Sequence, residues 1–288
     1  MSAVAWPAPA KLNLFLHVTG RRPDGYHEIQ TAYQLIDLSD RLQFAVRADG
    51  EIRRVQGPPE VAAAEDLCLR AARRLKNKGG SSLGADIRLE KRIPIQGGLG
   101  GGSSDAATTL VALNKIWGLR LDPAALAAIG LELGADVPLF IQGRSAWAEG
   151  VGERLTPLDL PARHFAVVYP GVGISTAEVF QAPELTRKTA ETTIRGFLKA
   201  GGHNDCEPVV AGRSPEVRRA LAWLSERGEA RLTGTGSCVF AGFADRGAAE
   251  AALSGLPTEW RGFVARGLDR SPLQERLAAE QSRDSGEI

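Results

Sequence analysis

Two residues far apart in the chain could form a buried charge pair. Lys11 lies in the run Pro9-Ala10-Lys11-Leu12-Asn13-Leu14, and Asp136 lies in Gly134-Ala135-Asp136-Val137-Pro138. An acidic residue set between Gly-Ala and an apolar run is costly to bury without a partner, and Lys11 is the cation proposed for it. Read alone, Lys11 has a second reading as a solvated charge on an edge strand. Between them in sequence lies Ile93-Pro94-Ile95-Gln96-Gly97-Gly98-Leu99-Gly100-Gly101-Gly102-Ser103-Ser104-Asp105. Glycines there can bring several backbone N–H groups against one anion, and a helix N-terminus adds positive partial charge. Such a loop suits phosphate.

The flanks of that loop set its context. Ala85 to Glu90 alternates apolar and polar residues, which predicts a strand. Ala106, Leu110, Leu113 and Trp117 recur at helical spacing until Gly118, which predicts a helix. The loop therefore joins a strand to a helix. It lacks the Lys that a Walker loop needs after its last Gly, and Gly98-x-Gly100-x-x-Ser103 lacks one Gly of the dinucleotide fingerprint.

Other elements present further chemistry. On a strand starting at Pro9, Lys11, Asn13, Phe15 and His17 would share one face and Leu12, Leu14, Leu16 and Val18 the other. Pro23-Asp24-Gly25 is a turn that presents Tyr26 and His27. That pair suits a flat heteroaromatic base as well as it suits a core tyrosine beside a surface histidine. Leu232-Thr233-Gly234-Thr235-Gly236-Ser237 is either a hairpin turn or a second loop that lets backbone approach a ligand. Further strands are predicted at Leu42–Val46, Ile52–Val55 and Phe165–Tyr169, and helices at Leu67–Leu75, after Asp122-Pro123, after Ser175 and after Ser214-Pro215.

The 288 residues allow two domains, and 43% apolar with 24% charged residues is a globular balance. The linker falls at Pro157 to Pro161, giving domains 1–156 and 157–288 with a frayed polar tail, 280–288. A formal net charge of +1 gives no field for nucleic acid or an anionic membrane. Cys68, Cys206 and Cys238 show no metal or redox spacing. The N-terminus has no leader pattern, and a cytoplasmic protein is expected.

The N-terminal Lys11 segment, the Gly97–Ala107 loop and the Leu232–Cys238 loop resemble the three motifs of the GHMP kinases, in order and spacing. The resemblance covers nearly the whole chain and is weakest at residues 49–64 and in the tail. It implies a two-domain α+β fold, with a ribosomal-protein-S5-domain-2-like first domain and a ferredoxin-like second. Through Asp24-Gly25-Tyr26-His27 and Asn204-Asp205-Cys206-Glu207 it extends to the branch that phosphorylates the 2-hydroxyl of a methylerythritol carrying a diphosphocytidyl group. It implies ATP and Mg²⁺ as cofactors, a small cytidine-diphosphate substrate as partner, and a monomer or homodimer. Lys11 and Asp136 would be catalytic. Pro94, Gly97, Gly98, Leu99, Gly100, Gly101, Gly102, Ser103 and Ser104 would bind ATP, with Gly234, Thr235 and Gly236 forming the third loop. Tyr26 and Phe180 would sandwich cytosine, His27 would bond its edge, and Asn13 and Thr176 would position the substrate. No metal ligands are assigned; a Mg²⁺-linked role for Asp105 stays open. One departure is Leu67-Cys68 after Glu65-Asp66, where the family commonly has Asn beside adenine. The alternatives are a homoserine- or mevalonate-type kinase, an inactive nucleotide-binding regulator, and a nucleic-acid module.

Overall fold

A computed structural model describes residues 4–286. In the first half, β1 (Trp6–Arg21), β2 (His27–Arg47) and β3 (Ile52–Gln56) lead to α1 (Leu67–Gly79), β4 (Gly84–Glu90), α2 (Gly101–Ile116), α3 (Pro123–Leu131), α4 (Val137–Gln142), β5 (Ala146–Glu149) and β6 (Arg154–Pro157). The second half holds β7 (His164–Tyr169), α5 (Thr176–Gln181), α6 (Ile194–Ala200), α7 (Cys206–Arg213), α8 (Pro215–Ser225), β8 (Arg231–Leu232), β9 (Val239–Phe243), α9 (Arg246–Ala252), β10 (Arg261–Leu268) and α10 (Pro272–Gly286). The class is α+β, as expected.

Capping chemistry sets the helix starts. Asp66 accepts from the N–H groups of Cys68 and Leu69, Asp122 from Ala125, Ser175 from Glu178 and Ser214 from Val217. In α2 the residues at helical spacing, Ala106, Leu110, Leu113 and Trp117, are all buried, against α1, α4 and the sheet. Leu75, Leu110, Val137 and Phe140 meet there in the main core.

β10 joins the halves. Its first six residues, Arg261–Arg266, pair antiparallel with β7, and its last two, Gly267 and Leu268, pair with Ile36 and Leu35 of β2. The sheet path therefore runs β3-β4-β2-β10-β7-β9-β8. A junction core of Ala10, Leu12, Ile93, Leu99, Val167 and Phe240 fills the space between.

Two expectations need correction. The shared face of Lys11, Asn13, Phe15 and His17 is broken by a bulge: Asn13 pairs with Tyr33 but Leu16 pairs with Thr31, so one extra residue enters β1. Phe15 accordingly packs with Trp147 and Phe197, away from Lys11, while Leu16 and Val18 join the core of the second half. The tail is not frayed from residue 280: α10 continues to Gly286, Arg276 pairs with Glu280, and Leu273 sits in the first half's core. Residues 287–288 lie outside the described residues. No helix among the described residues is long and apolar enough to cross a membrane.

Candidate active site

The two catalytic candidates meet. Lys11 Nζ lies 3.6 Å from Asp136 Oδ2. Lys11 is only 3% exposed, which removes the solvated-edge reading. Its Nζ also donates to Gly98 O at 2.8 Å and to Asn13 Oδ1. Burial lowers the Lys11 pKa below the ordinary lysine value, and Asp136 opposes part of that.

The glycine loop is fastened to the same strand. Lys11 N–H donates to Leu99 O at 3.0 Å. Gly98 and Gly100 have φ of +73° and +71°, a region that only glycine enters cheaply. A Cβ on Gly100 would lie 2.9 Å from Phe140 and 3.1 Å from the Lys11 side chain, so its bareness lets lysine and loop touch. Gly100 caps α2, and no side chain occupies that N-terminus. Its first N–H groups are therefore available to an anion.

The third loop answers to both of its readings. β8 and β9 form a hairpin around it, with Leu232 opposite Val239. Its backbone also packs onto the phosphate loop: Ser237 N–H donates to Gln96 O and Cys238 N–H to Gly97 O at 3.2 and 3.1 Å. Thr233 Oγ1 accepts from Asn13 N–H at 3.0 Å, and Thr235 Oγ1 lies 2.9 Å from Thr176 Oγ1.

These groups line one cleft of about 620 Å³. Thr176 and Phe180 are in its wall, with Asn13 and Leu16. Lys11, Asp136, Pro94, Gly97–Gly102, Ser103, Gly234 and Thr235 line it too, as do Pro58, Val61, Leu67, Cys68 and Leu89. Tyr26, His27, Ser104 and Gly236 are not in its wall; Ser104 is buried and gives its N–H to Gly100 O. His27 stacks on Phe180 with centroids 5.2 Å apart. Tyr26, 64% exposed on the turn, is not brought to that pair.

Asp105 lines the cleft as well, and its Oδ1 has no hydrogen-bond partner among the described residues. Its Oδ2 lies 2.7 Å from Lys91 Nζ, which also pairs with buried Asp40. Burial, with Asp40 close by, pushes Asp105 up to about 7. Burial works against the Lys91 charge, but Asp105 and Asp40 hold its pKa above the ordinary lysine value. Asp40 Oδ1 also accepts from Arg92 and Ile93 N–H. The triad thus braces the strand-to-loop lead-in and the first turn of α2, with Lys91 and Asp105 in the cleft wall.

Three residues of the site were missed from the sequence. Tyr33, 1% exposed, donates its phenol proton to Asp136 Oδ1 at 2.8 Å, and its ring lies 5.6 Å from Lys11 Nζ. Burial, then Asp136, raise its pKa well above the ordinary tyrosine value, so the phenol stays a donor. Lys91 is the second. The third is Arg187, whose Nε donates to His27 Nε2 at 3.1 Å. The only available signal for Tyr33 was its place in an apolar run, which reads as core.

Comparison with known proteins agrees with this geometry. The family description "GHMP kinases N terminal domain" matches residues 66–144 and "GHMP kinases C terminal" matches residues 184–262. A 4-diphosphocytidyl-2-C-methyl-D-erythritol kinase of Alkalilimnicola ehrlichii is 57% identical over 96% of this chain and 95% of its own. The same kinase of Halorhodospira halophila is 58% identical over 95% and 96%. A crystal structure of 4-(cytidine 5'-diphospho)-2C-methyl-D-erythritol kinase superposes with a TM-score of 0.80 at 35% identity, covering 92% of this chain and 99% of that one. A mevalonate kinase structure, TM-score 0.67 at 17% identity over 93% of this chain and all of that one, shares the fold.

Proposed function

The chain belongs to the GHMP kinases, in the 4-diphosphocytidyl-2-C-methyl-D-erythritol kinase family, and on that premise we propose how its cleft moves the ATP γ-phosphoryl group to the substrate's 2-hydroxyl. The observation that carries the assignment of roles is the Lys11–Asp136 pair, 3.6 Å apart, set where the phosphate loop is tied to β1.

Asp136 takes or orients the proton of the attacking hydroxyl. Tyr33 occupies Oδ1, which leaves Oδ2 for Lys11 and the acceptor. Lys11 holds the developing negative charge, in surroundings where a buried cation acts strongly. Little covalent help is required, because phosphoryl transfer depends mostly on position and charge.

The open α2 N-terminus and the glycine backbone of Gly97–Gly102, with Pro94 and Ser103, hold the phosphates, while Ser104 lies outside the cleft wall. The cleft end lined by Pro58, Val61, Leu67 and Leu89 takes the adenine. Leu67 has no side-chain hydrogen bond to offer there, so backbone groups or apolar contact must serve. Mg²⁺ neutralises phosphate charge when bound with the nucleotide. No group of three or more His, Cys, Asp or Glu able to hold an ion occurs among the described residues. Phosphate oxygens and water would then fill most of its shell, as is usual for this ion.

His27 and Phe180 form the cytidine end, with Asn13 and Thr176 positioning what lies between. Tyr26, exposed on the Arg22–Tyr26 turn, is the ring we assign to the other face of the base. We divide the chain at 157, between the two matched segments, and place the enzyme in the cytoplasm as a monomer or homodimer without nucleic-acid or membrane partners. Near-zero net charge and three free, buried cysteines support that placement.

The test is ADP release with Mg-ATP and 4-diphosphocytidyl-2-C-methyl-D-erythritol, beside homoserine and mevalonate. Turnover on the cytidine substrate alone is expected. Silence there with turnover on another acceptor would keep the phosphate loop and overturn the cytidine assignments.

A further inference from the structure

Arg187 lies in the segment after α5 and contacts His27, at the start of β2. Its guanidinium can only donate. Nε donates to His27 Nε2 at 3.1 Å, Nη1 to Leu185 O at 3.0 Å, and Nη2 to Phe180 O and Ala182 O at 3.1 and 2.6 Å. One side chain thus fixes the backbone that carries the stacking ring and the histidine that the ring covers. Three carbonyl anchors leave the guanidinium little freedom to turn away from the imidazole.

The direction of the first of these bonds decides where the imidazole proton is. A ring nitrogen that accepts a hydrogen bond carries no proton. Burial, and then the Arg187 charge, hold His27 below the ordinary histidine value, so the ring is neutral and its single proton sits on Nδ1. His27 is 8% exposed, and its ring stacks on Phe180, which lines the cleft.

We propose that Arg187 is a positioning residue that locks His27 as the Nδ1–H tautomer, and that the site thereby selects cytidine over uridine substrates. The proposal rests on the cytidine reading above. A ring nitrogen that donates complements the unprotonated N3 and the O2 of cytosine. Uracil carries a proton on N3, so the same nitrogen would meet it donor against donor. A bare nitrogen would do the reverse and accept from uracil. The position of one proton therefore sets the sign of the discrimination. A site built around one hydrogen-bond pattern rejects the analogue that cannot complete it far more strongly than an apolar pocket rejects a change of size.

The experiment measures equilibrium binding of CDP and UDP, with AMP-PNP as a control ligand, to the unaltered chain, Arg187→Met and Arg187→Lys. NMR of the His27 ring nitrogens in the unliganded chain reads the tautomer directly. The expected results are a proton on Nδ1 and CDP bound roughly tenfold or more tighter than UDP. In Arg187→Met the ratio should collapse to within about threefold, because the neutral ring is then free to protonate Nε2. Arg187→Lys keeps an N–H donor and should restore part of the preference. A proton on Nε2 in the unaltered chain overturns the proposal. So does an unchanged CDP/UDP ratio in Arg187→Met with AMP-PNP binding intact. If Arg187→Met loses AMP-PNP as well, the tautomer of the unaltered chain and the ratio in Arg187→Lys decide. Normal AMP-PNP binding with neither pyrimidine nucleotide bound refutes the cytidine reading, and the selection with it, while the ring signals still show whether Arg187 sets the proton.

Discussion

Replacing Tyr33 by Phe removes one oxygen and isolates its bond to the Asp136 carboxylate, the base proposed above. The ring is 1% exposed in the main core, and Phe keeps that packing. The change takes away a phenol donor 2.8 Å from Asp136 Oδ1. A hydrogen bond to a charged group contributes about 1.5–3 kcal/mol. The Asp136 side chain is 27% exposed, so water from the cleft can reach the vacated oxygen, which points to the lower end. About 1.5 kcal/mol corresponds to roughly tenfold in rate. The expected result is kcat lowered about tenfold with KM for ATP unchanged, because the bond lies at the acceptor side of the Lys11 pair and touches no part of the phosphate loop. Stability should move by less than about 1 kcal/mol, the usual effect of deleting one hydroxyl where no cavity opens. Steady-state kinetics against both substrates, with urea unfolding as the control, checks this. A kcat within twofold of the unaltered chain, or an effect confined to KM for ATP, would refute the claim that Tyr33 orients the base.

Asp136→Ala should cut turnover by about 10²–10⁴-fold, the range for removal of a general base, with ATP affinity near normal by equilibrium binding; a change under tenfold would make Asp136 structural. Because Lys11 titrates below the ordinary lysine value, turnover should fall on the alkaline side earlier than a solvated lysine would dictate. Asp136→Asn, which removes the neighbour that raises it, should move the Lys11 titration lower still in an NMR titration. Gly98→Ala forces a side chain into φ of +73° with its Cβ 2.2 Å from Thr233 O. It should cost on the order of 2 kcal/mol or more and weaken ATP binding, and thermal unfolding with nucleotide titration would show an unchanged protein if the two loops do not pack as described. Folded Asp105 keeps its proton up to about pH 7, whereas the unfolded chain releases it in the ordinary carboxylate range. In that window the folded state binds more protons, and stability falls as pH rises, levelling above about 7. Asp105→Asn should remove this slope, and urea unfolding at about pH 5 and about pH 8 giving equal slopes in both chains would refute it.

Local chemistry made much of the fold legible. Asp66, Asp122, Ser175 and Ser214 announce helices by capping, and each of them accepts the expected N–H. Gly98 and Gly100 announce the loop by a conformational need that no other residue meets cheaply. Long β2 was only partly visible. Its 21 residues are buried on both faces through Leu35 and Ile36, so period-two alternation shows only near Leu42 and Phe44. The bulge in β1 was invisible for another reason: it exists because Asn13 and Leu16 pair with Tyr33 and Thr31, and that register belongs to two strands together. Asp105 does line the cleft with the glycine loop, but its charge partner Lys91 and, through it, Asp40 are brought there by the sheet and were not legible in its window.

The missed residues share that origin and show what the chain adds to its motifs. Lys11, Asp136 and the glycines are each recognisable in a short window because backbone conformation or burial cost singles them out. Tyr33 and Arg187 are ordinary in their windows. They acquire roles only when β2 passes between β1 and β5, and when the segment after α5 folds back on His27. Tyr33 sits opposite Asn13 across the β1–β2 ladder, so the same pairing that carries the bulge also delivers the phenol to Asp136. Paired without a bulge, the same residues would slip by one position, turning Phe15 and His17 toward the cleft and Leu16 and Val18 away from the second core, whereas removing the extra residue leaves Asn13 and Leu16 opposite Tyr33 and Thr31 as before. Deletion of Leu14 should therefore keep Leu16 and Val18 in the second core and Lys11 beside Asp136, with turnover and the unfolding midpoint close to those of the unaltered chain. A protein that became inactive while keeping an unaltered unfolding midpoint would show that the bulge serves the site alone and not the packing.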